Sequence, residues 1–527
     1  METTTTSMNV DTPQQHPKLL PYQHSHAENI EYSLKKYGRA LDLSQTGTGK
    51  SYVSSAVCAN LKLRPLVICP KSLVSMWPKV LQEFGVEPYG IANYEMLQFG
   101  NYLVKGVAKK CPYVKKVEVK SDDFDTIEND FKSKKNEDGK YYTFEWTDLP
   151  NDMIVILDET HRCKNPRTFN SILLHNMAEK EVKILLLSAT LADKPETFVL
   201  PAFVLRLVSS VSKAKDWIYK LAKGYTNPMS GVHDVIFPEY ASRMRSRDVK
   251  GLFPDNRILA DCYEMENAKE IEEQYMLIED EIKKLKTKED SSNCVLAKIL
   301  YARMRIEQLK IPTFVKMAKE SLDNGNSVAI FVNFTDTLKT LQKELNTKCV
   351  IFGQQSVEER DRSVRLFNQD NEHLIICNIR SGGVGISLHD TIGNFPRVSI
   401  ISPSWSAQDI LQALGRIHRA NGKTPVVQKI VFCKGTIEED ICKKMSDKIK
   451  NIAQLNDGDL LSHQIEGLTD DKSEEAPNES SKEEMELGKM FMRMEVLETR
   501  KKRLLQELKE TEDEMKDLQK TIQAVIG

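Results

Sequence analysis

The sequence predicts an α/β protein of two lobes, each a parallel sheet flanked by helices, followed by a C-terminal helix patterned as a coiled coil. Three observations carry this reading. Short apolar runs alternate with helical stretches from Leu19 to about Thr226, the pattern of a helix-covered parallel sheet. The alternation stops over a charged, helix-patterned stretch, Asn267 to Ile311, and resumes from Pro312 to about Leu461. Beyond Gly467 the chain turns acidic and Ser-rich, then carries a sustained seven-residue apolar repeat.

Residues 1–18 are polar and Thr/Gln-rich and are expected to be disordered. They lack the basic-then-apolar plan of a signal peptide, so an intracellular protein is expected. The first lobe, 19–226, contains the apolar runs Arg39–Ser44, Pro65–Pro70, Met153–Leu157 and Ile184–Ser188, and a helix-spaced segment Ser51–Leu63. Within it, Lys115 to Asn151 is charged and poor in aliphatics, which suggests an exposed insertion with β structure near Tyr141–Trp146. A helical segment, 227–311, separates this lobe from the second, 312–468, whose runs are Val328–Val332, His373–Cys377, Val398–Ile401 and Val426–Val431. Residues 469–481 read as a linker. In 482–527, Leu487, Met494, Leu508, Met515 and Ile522 share one heptad position and Met490, Leu497, Leu504, Leu518 and Val525 the other, with Lys501 and Thr511 as exceptions. Such a helix either joins another protein, including a second copy of this chain, or packs back onto the body.

A chain of 527 residues exceeds one compact core, and 40% hydrophobic with 28% charged residues is ordinary for a globular protein. No apolar run approaches the roughly 20 residues of a membrane span. The ten cysteines include no C-x-x-C pair, which favours buried free thiols over zinc or a redox couple. Net charge is −2, yet the segment from Thr469 onward carries −5 and the remainder +3, so the body can still present a basic groove to nucleic acid.

The chemistry concentrates in two places. Ser44-Gln-Thr-Gly-Thr-Gly-Lys-Ser51 has the build of a phosphate-cradling loop between a strand and a helix. Thr46, Gly47, Thr48 and Gly49 supply backbone N–H groups, Lys50 reaches the β- and γ-phosphates, and Ser51 is a Mg²⁺ ligand; Ser44 stands where the consensus has a first glycine. About a hundred residues later, Met153–Leu157 ends in Asp158-Glu159-Thr160-His161. Asp158 is suited to hold Mg²⁺, Glu159 to activate the attacking water, and His161 to couple the site to its surroundings.

These segments, with Ser188-Ala-Thr190 and Gln412-Ala-Leu-Gly-Arg-Ile-His-Arg419, follow the order found in superfamily 2 helicases and translocases. The resemblance spans about Leu19 to Asp447 and narrows to the Swi/Snf-like branch. Leu20-Pro-Tyr-Gln23, Val67-Ile-Cys-Pro-Lys-Ser-Leu73 with Trp77, Asn93–Leu97, Asp158–Asn165, Arg380-Ser-Gly-Gly-Val-Gly-Ile386 and Trp405 carry it. It implies two RecA-like lobes clamping ATP with Mg²⁺. It further implies adenine recognition by Gln23, arginine fingers at Arg416 and Arg419, shaping of the closed interface by Gly385 and Gln412, and coupling of hydrolysis to movement through Ser188 and Thr190. At i, i+3, the two arginines are expected on one helical face.

The same resemblance implies phosphate contacts from Lys71, Ser72, Asn333, Arg380 and Ser381 to a nucleic-acid track, with double-stranded DNA favoured. Arg243, Arg245 and Arg247 alternate and are candidates for one face of an extended segment. The branch commonly has Gly at position 44 and Ala at 160, and Thr-Gly-Thr where this chain has Ser188-Ala-Thr190. Its helical protrusions are also short here, as in compact forms similar to those of large DNA viruses. The expected activity is ATP-driven translocation on duplex DNA. A strand-separating DNA or RNA helicase is the nearest alternative, and an ATP-gated scaffold recruiting partners through the coiled coil is another.

Overall fold

The computed structural model describes residues 18–119, 129–136, 140–221, 225, 227–246, 249, 251–287, 292–379, 386–404, 406–442 and 445. The N-terminus to residue 17, the linker 469–481 and the coiled coil expected over 482–527 lie outside them.

The first sheet is built on strands β1 (Arg39–Asp42) and β2 (Arg64–Cys69), followed by β3 (Gly90–Asn93), β4 (Asn101–Val104) and β5 (Val107–Lys110). After a small separate sheet of β6 (Val114–Val119), β7 (Lys134–Lys135) and β8 (Tyr141–Trp146), the chain returns with β9 (Met153–Asp158), β10 (Lys183–Leu187) and β11 (Ala241–Ser242). The first sheet runs in the order β11-β1-β10-β9-β2-β3-β4-β5, antiparallel only across β3–β4 and β4–β5. Strands β1, β2, β9 and β10 are almost wholly buried, so both faces need cover and the sequence reads as unbroken apolar runs. One face packs on α1 (His24–Tyr37) and α2 (Lys50–Asn60) through Ile30, Leu34, Val53 and Val57. The other packs on the helix Phe169–Ala178 through Ile172, Leu173 and Leu174.

Register decides where the site forms. Asp42 pairs with Leu187 and Leu187 with Asp158, so the carboxyl ends of β1, β10 and β9 are level. The octapeptide loop, the acidic box and Ser188–Thr190 therefore leave the sheet along one edge, where ligand crevices form in open α/β sheets.

The second sheet contains β12 (Asn256–Tyr263), β13 (Ser327–Val332), β14 (Val350–Ile351), β15 (Leu374–Asn378), β16 (Arg397–Ile401) and β17 (Val426–Cys433). It is wholly parallel, in the order β12-β17-β16-β13-β15-β14.

Two expectations are corrected. The helical segment expected over 227–311 is divided: β11 hydrogen-bonds to β1 in the first sheet, and β12 pairs along its full length with β17 in the second. Both are edge strands, whose unpaired side weakens the apolar signature that marks central strands. What remains helical among the described residues is Pro228–Ile236, which packs into the first lobe's core through Met229, Val232 and Ile236, and the pair Ala268–Thr287 and Ser292–Leu309, which packs into the second lobe's core through Ile271, Ile278, Ala302 and Ile306. The insertion is also less exposed than expected. Phe144 and Trp146 on β8 are 2% exposed, and Trp146 Nε1 donates to Leu173 O at 3.1 Å, so the small sheet is pinned to the first lobe's core.

Candidate ATP site between the lobes

The octapeptide turns tightly because Gly47 and Gly49 adopt φ of +84° and +99°, a region that L-residues avoid. A side chain would also collide there: a Cβ on Gly49 would lie 2.2 Å from Gln23 Nε2, and one on Gly47 3.1 Å from Arg419 Cγ. Gln23 is held by accepting from Leu20 N at 2.9 Å and donating to Thr48 O at 2.8 Å. Lys50 opens α2 and donates to Ser44 O at 2.9 Å. Burial lowers its pKa, partly offset by Glu159, Asp42 and Asp158.

Ser44 has a structural role that the motif does not reveal. Its hydroxyl, fully buried, accepts from Met244 N at 3.0 Å and lies 3.2 Å from His26 Nε2. The residue keeps an ordinary backbone conformation, so no glycine is required at this position. Beneath it Asp42 accepts from Ser44 N at 2.9 Å and pairs with His26 at 3.2 Å. Burial opposes the Asp42 charge, but His26, Lys50 and Ser44 outweigh it and hold its pKa low. His26 and Asp42 carry no motif signal; only their burial together reveals them.

At the end of β9, Asp158 accepts from Trp77 Nε1 at 3.1 Å and from Glu159 N at 3.0 Å. Each Asp158 oxygen thus retains a lone pair for a cation. Glu159 stands in the left-handed region, φ +54°, and its carboxylate lies 3.3 Å from His161 Nδ1. Burial and the adjacent Glu159 push Asp158 up, whereas for Glu159 the opposing pull of His161, Lys50 and Arg416 exceeds the burial effect and holds it down. Lys50 and Arg416 offset Glu159, but Asp158 stays raised to about 7 by burial and the adjacent carboxylate, and Mg²⁺ on Asp158 and Ser51 would supply the positive charge it lacks. Among the described residues no group of three or more His, Cys, Asp or Glu is arranged to hold a metal. Mg²⁺ sites on nucleotide phosphates do not need such a cage.

The second lobe closes on these groups. Gln412 Nε2 lies 3.5 Å from Glu159 Oε2 and 3.4 Å from His161 Nε2, and a Cβ on Gly415 would overlap Thr46 Oγ1 at 1.9 Å. His161 Nδ1 lies 3.3 Å from Ser188 Oγ, which accepts from Thr190 N at 3.2 Å. Thr190 O accepts from Gln408 Nε2 at 2.8 Å, and Lys164 bridges Gln408 and Asp193. The expected coupling residues therefore form one hydrogen-bonded chain across the cleft, with Gln408 and Lys164 as members the motifs did not single out.

The helix Ala407–Leu414 stops before Arg416, so the two arginines do not share a helical face as expected. Gly415 ends the helix, and both arginines sit beyond it. They nevertheless converge: Arg416 Nη1 and Arg419 Nη2 donate to Ile386 O at 3.2 and 3.0 Å. Burial lowers both, Arg416 to about 10 and Arg419 to about 9, the latter also by its neighbour's charge.

Of the expected track residues, Lys71 and Ser72 lie on an exposed to half-exposed turn at the carboxyl end of β2. Asn333 points inward, its amide donating to Glu307 Oε2 at 2.8 Å and Pro403 O at 2.9 Å. Arg243 donates to Leu43 O, which ties it to the phosphate loop's strand. Arg247, Arg380, Ser381, Gly385 and Trp405 lie outside the described residues.

Two parallel-sheet lobes meeting across a phosphate loop, an acidic box and a paired arginine turn define the superfamily 2 helicase class. The helicase conserved C-terminal domain family matches residues 310–421, and the type III restriction enzyme res subunit family matches 16–193. A protein of Acanthamoeba polyphaga mimivirus, named a putative ATP-dependent RNA helicase, is 36% identical over 482 residues, 85% of each chain. The human SWI/SNF-related matrix-associated actin-dependent regulator of chromatin subfamily A member 1 is 27% identical over 30% of this chain and 16% of its own length. The Sulfolobus solfataricus SWI2/SNF2 ATPase core in complex with dsDNA aligns with TM-score 0.34 and 16% identity, over 85% of this chain and 95% of that one. The chain belongs to the superfamily 2 helicases and is an ATP-dependent helicase or translocase. No helix among the described residues is long and apolar enough to cross a membrane.

Proposed function

We propose that the protein hydrolyses ATP between its lobes to move along duplex DNA. The observation that carries the reading is the contact of Gln412, Gly415 and Arg419 with Glu159, Thr46 and Gly47, because it makes the catalytic groups complete only when the lobes are together. In this reading Gln23 recognises adenine, and Thr46, Gly47, Thr48 and Gly49 cradle phosphate through their backbone. Lys50 neutralises the β- and γ-phosphates, and Glu159, held as a carboxylate, orients water and takes its proton. Arg416 and Arg419 stabilise charge that develops in the transition state. Mg²⁺ held by Ser51 and Asp158, when bound, screens the phosphate oxygens. The chain His161, Ser188, Thr190, Gln408 links the acidic box to the second lobe and supports a role in coupling.

The track is assigned from the Swi/Snf-like motifs, with Lys71, Ser72, Arg380 and Ser381 as phosphate contacts and Asn333 acting by shaping its loop. Phosphate contact without base readout gives sequence-independent binding that weakens steeply with salt. A second reading, a strand-separating helicase, is favoured by Ser188-Ala-Thr190, and RNA as its track by the name of the mimivirus relative. The test is ATP turnover by the full chain with duplex DNA, single-stranded DNA and RNA compared. The largest stimulation by duplex DNA, lost in Lys50→Ala, supports translocation on DNA. Stimulation by RNA alone, with strand release in an unwinding assay, overturns it in favour of the second reading.

A further inference from the structure

Away from the ATP cleft, the second lobe holds a buried carboxylate that gathers several loops. Glu307, on the helix Ser292–Leu309, is 3% exposed. Its Oε2 accepts from Asn333 N at 2.8 Å, Asn333 Nδ2 at 2.8 Å and Ser402 Oγ at 2.7 Å, and its Oε1 accepts from Phe334 N at 2.9 Å. These donors come from the loops that leave β13 and β16, neighbouring strands in the sheet. A third loop joins them, since Asn378 Nδ2, at the end of β15 on the other side of β13, donates to Asn333 O at 2.8 Å.

The helix does not need these contacts to stay attached. One turn on, Lys310 is locked to Glu438 Oε1 at 2.6 Å, and Tyr275 from the partner helix donates to the same oxygen at 2.8 Å. Apolar contacts of Ile306 and Leu309 with the lobe's core add to that anchor. Glu307 therefore fixes the loops and not the helix. A carboxylate is suited to this, because it offers only acceptors and satisfies four donors at once. The loops it fixes lie at the carboxyl edge of the second sheet. Asn378 precedes by eight residues Ile386, whose carbonyl receives both arginines.

We propose that Glu307 is a positioning residue that latches the helix pair to the carboxyl-edge loops of the second lobe, and that this latch is required for nucleic acid to stimulate ATP turnover. The inference rests on the proposed translocase reading, with those loops on the nucleic-acid side. In Glu307→Gln an amide N–H faces the same donors, so the loops shift while the helix stays anchored through Lys310.

The experiment measures ATP turnover of the full chain, with and without saturating polynucleotide, for wild type, Glu307→Gln and Ser402→Ala. In Glu307→Gln, turnover without polynucleotide and KM for ATP stay within about twofold of wild type, while the stimulated rate falls by about tenfold or more. Ser402→Ala, which removes one donor, gives a fall of about two- to fivefold with the unstimulated rate unchanged. Equal loss of both rates overturns the proposal, because that is what a purely structural carboxylate produces. Full retention of stimulation overturns it as well. Should Glu307→Gln fail to fold, Ser402→Ala decides by the same criteria. A wild type that no polynucleotide stimulates refutes the translocase reading and this inference together; a stimulated wild type with unselective variants refutes this inference alone.

Discussion

Gln412 carries its amide nitrogen from the second lobe to 3.5 Å from Glu159 Oε2, so the carboxylate best suited to activate water is touched from the opposite side of the cleft. Glu159→Gln is expected to lower ATP turnover by about a hundredfold or more with nucleotide binding retained, because a positioned base contributes that much. Gln412→Ala is expected to lose less, about tenfold, since it disturbs only the orientation of Glu159. Phosphate release and binding of a fluorescent nucleotide check both.

The shared acceptor of Arg416 and Arg419 makes a prediction about charge shape. Both guanidiniums reach Ile386 O, a geometry that lysine's point charge does not reproduce. Arg416→Lys and Arg419→Lys should each reduce maximal turnover by about tenfold or more while leaving the KM for ATP within about threefold. Steady-state kinetics with saturating polynucleotide measures the split.

Gly49→Ala tests the phosphate loop. The added methyl meets Gln23 Nε2 at 2.2 Å on a residue with φ +99°, so strain and collision act together. Destabilisation of about 1–3 kcal/mol is expected, together with loss of nucleotide-induced thermal protection. Thermal melts with and without Mg-ATP report both effects.

His389 supplies the pH prediction. Burial, then the charges of Arg419 and Arg397, push its pKa down to about 4 against the opposing pull of Asp390. The unfolded chain takes up this proton near its ordinary value of about 6.5, before the folded state does. Stability contributed by the neutral ring is therefore full above that value and is lost as pH falls toward about 4. At pH 5 the loss is expected to be about 1 kcal/mol, after allowing for the partly exposed ring. The difference in Tm between pH 7.5 and pH 5 should shrink in His389→Asn; an unchanged difference would rule His389 out as its source.

Central strands were legible in the sequence because burial on both faces leaves unbroken apolar runs: Met153–Leu157 and Val328–Val332 correspond to β9 and β13. The octapeptide Ser44–Ser51 and the Asp158–His161 box stood out in the sequence by residue types at fixed spacing, and both lie at the carboxyl edge of the first sheet. Edge strands were not. Asn256–Tyr263 is mostly exposed or half-exposed, and two-residue β11 is too short for any periodicity. Contacts made only by tertiary folding were equally silent: nothing local to Ser44 announces Met244, 200 positions away, and nothing around Glu307 announces Ser402. The paired arginines were found, but the helix was carried past Leu414 because periodicity does not register the break at Gly415.

The return of β11 to β1 bears on synthesis. Leu41 N and Leu43 N donate to Tyr240 O and Ser242 O, and Gln45 N to Met244 O, so the strand leading into the phosphate loop is completed by residues made about two hundred positions later. A nascent chain that has emerged only to residue 226 presents β1 as an unpaired edge, open to wrong partners. The first lobe becomes a finished folding unit only when residue 246, whose N–H reaches Gln45 Oε1, has cleared the ribosome.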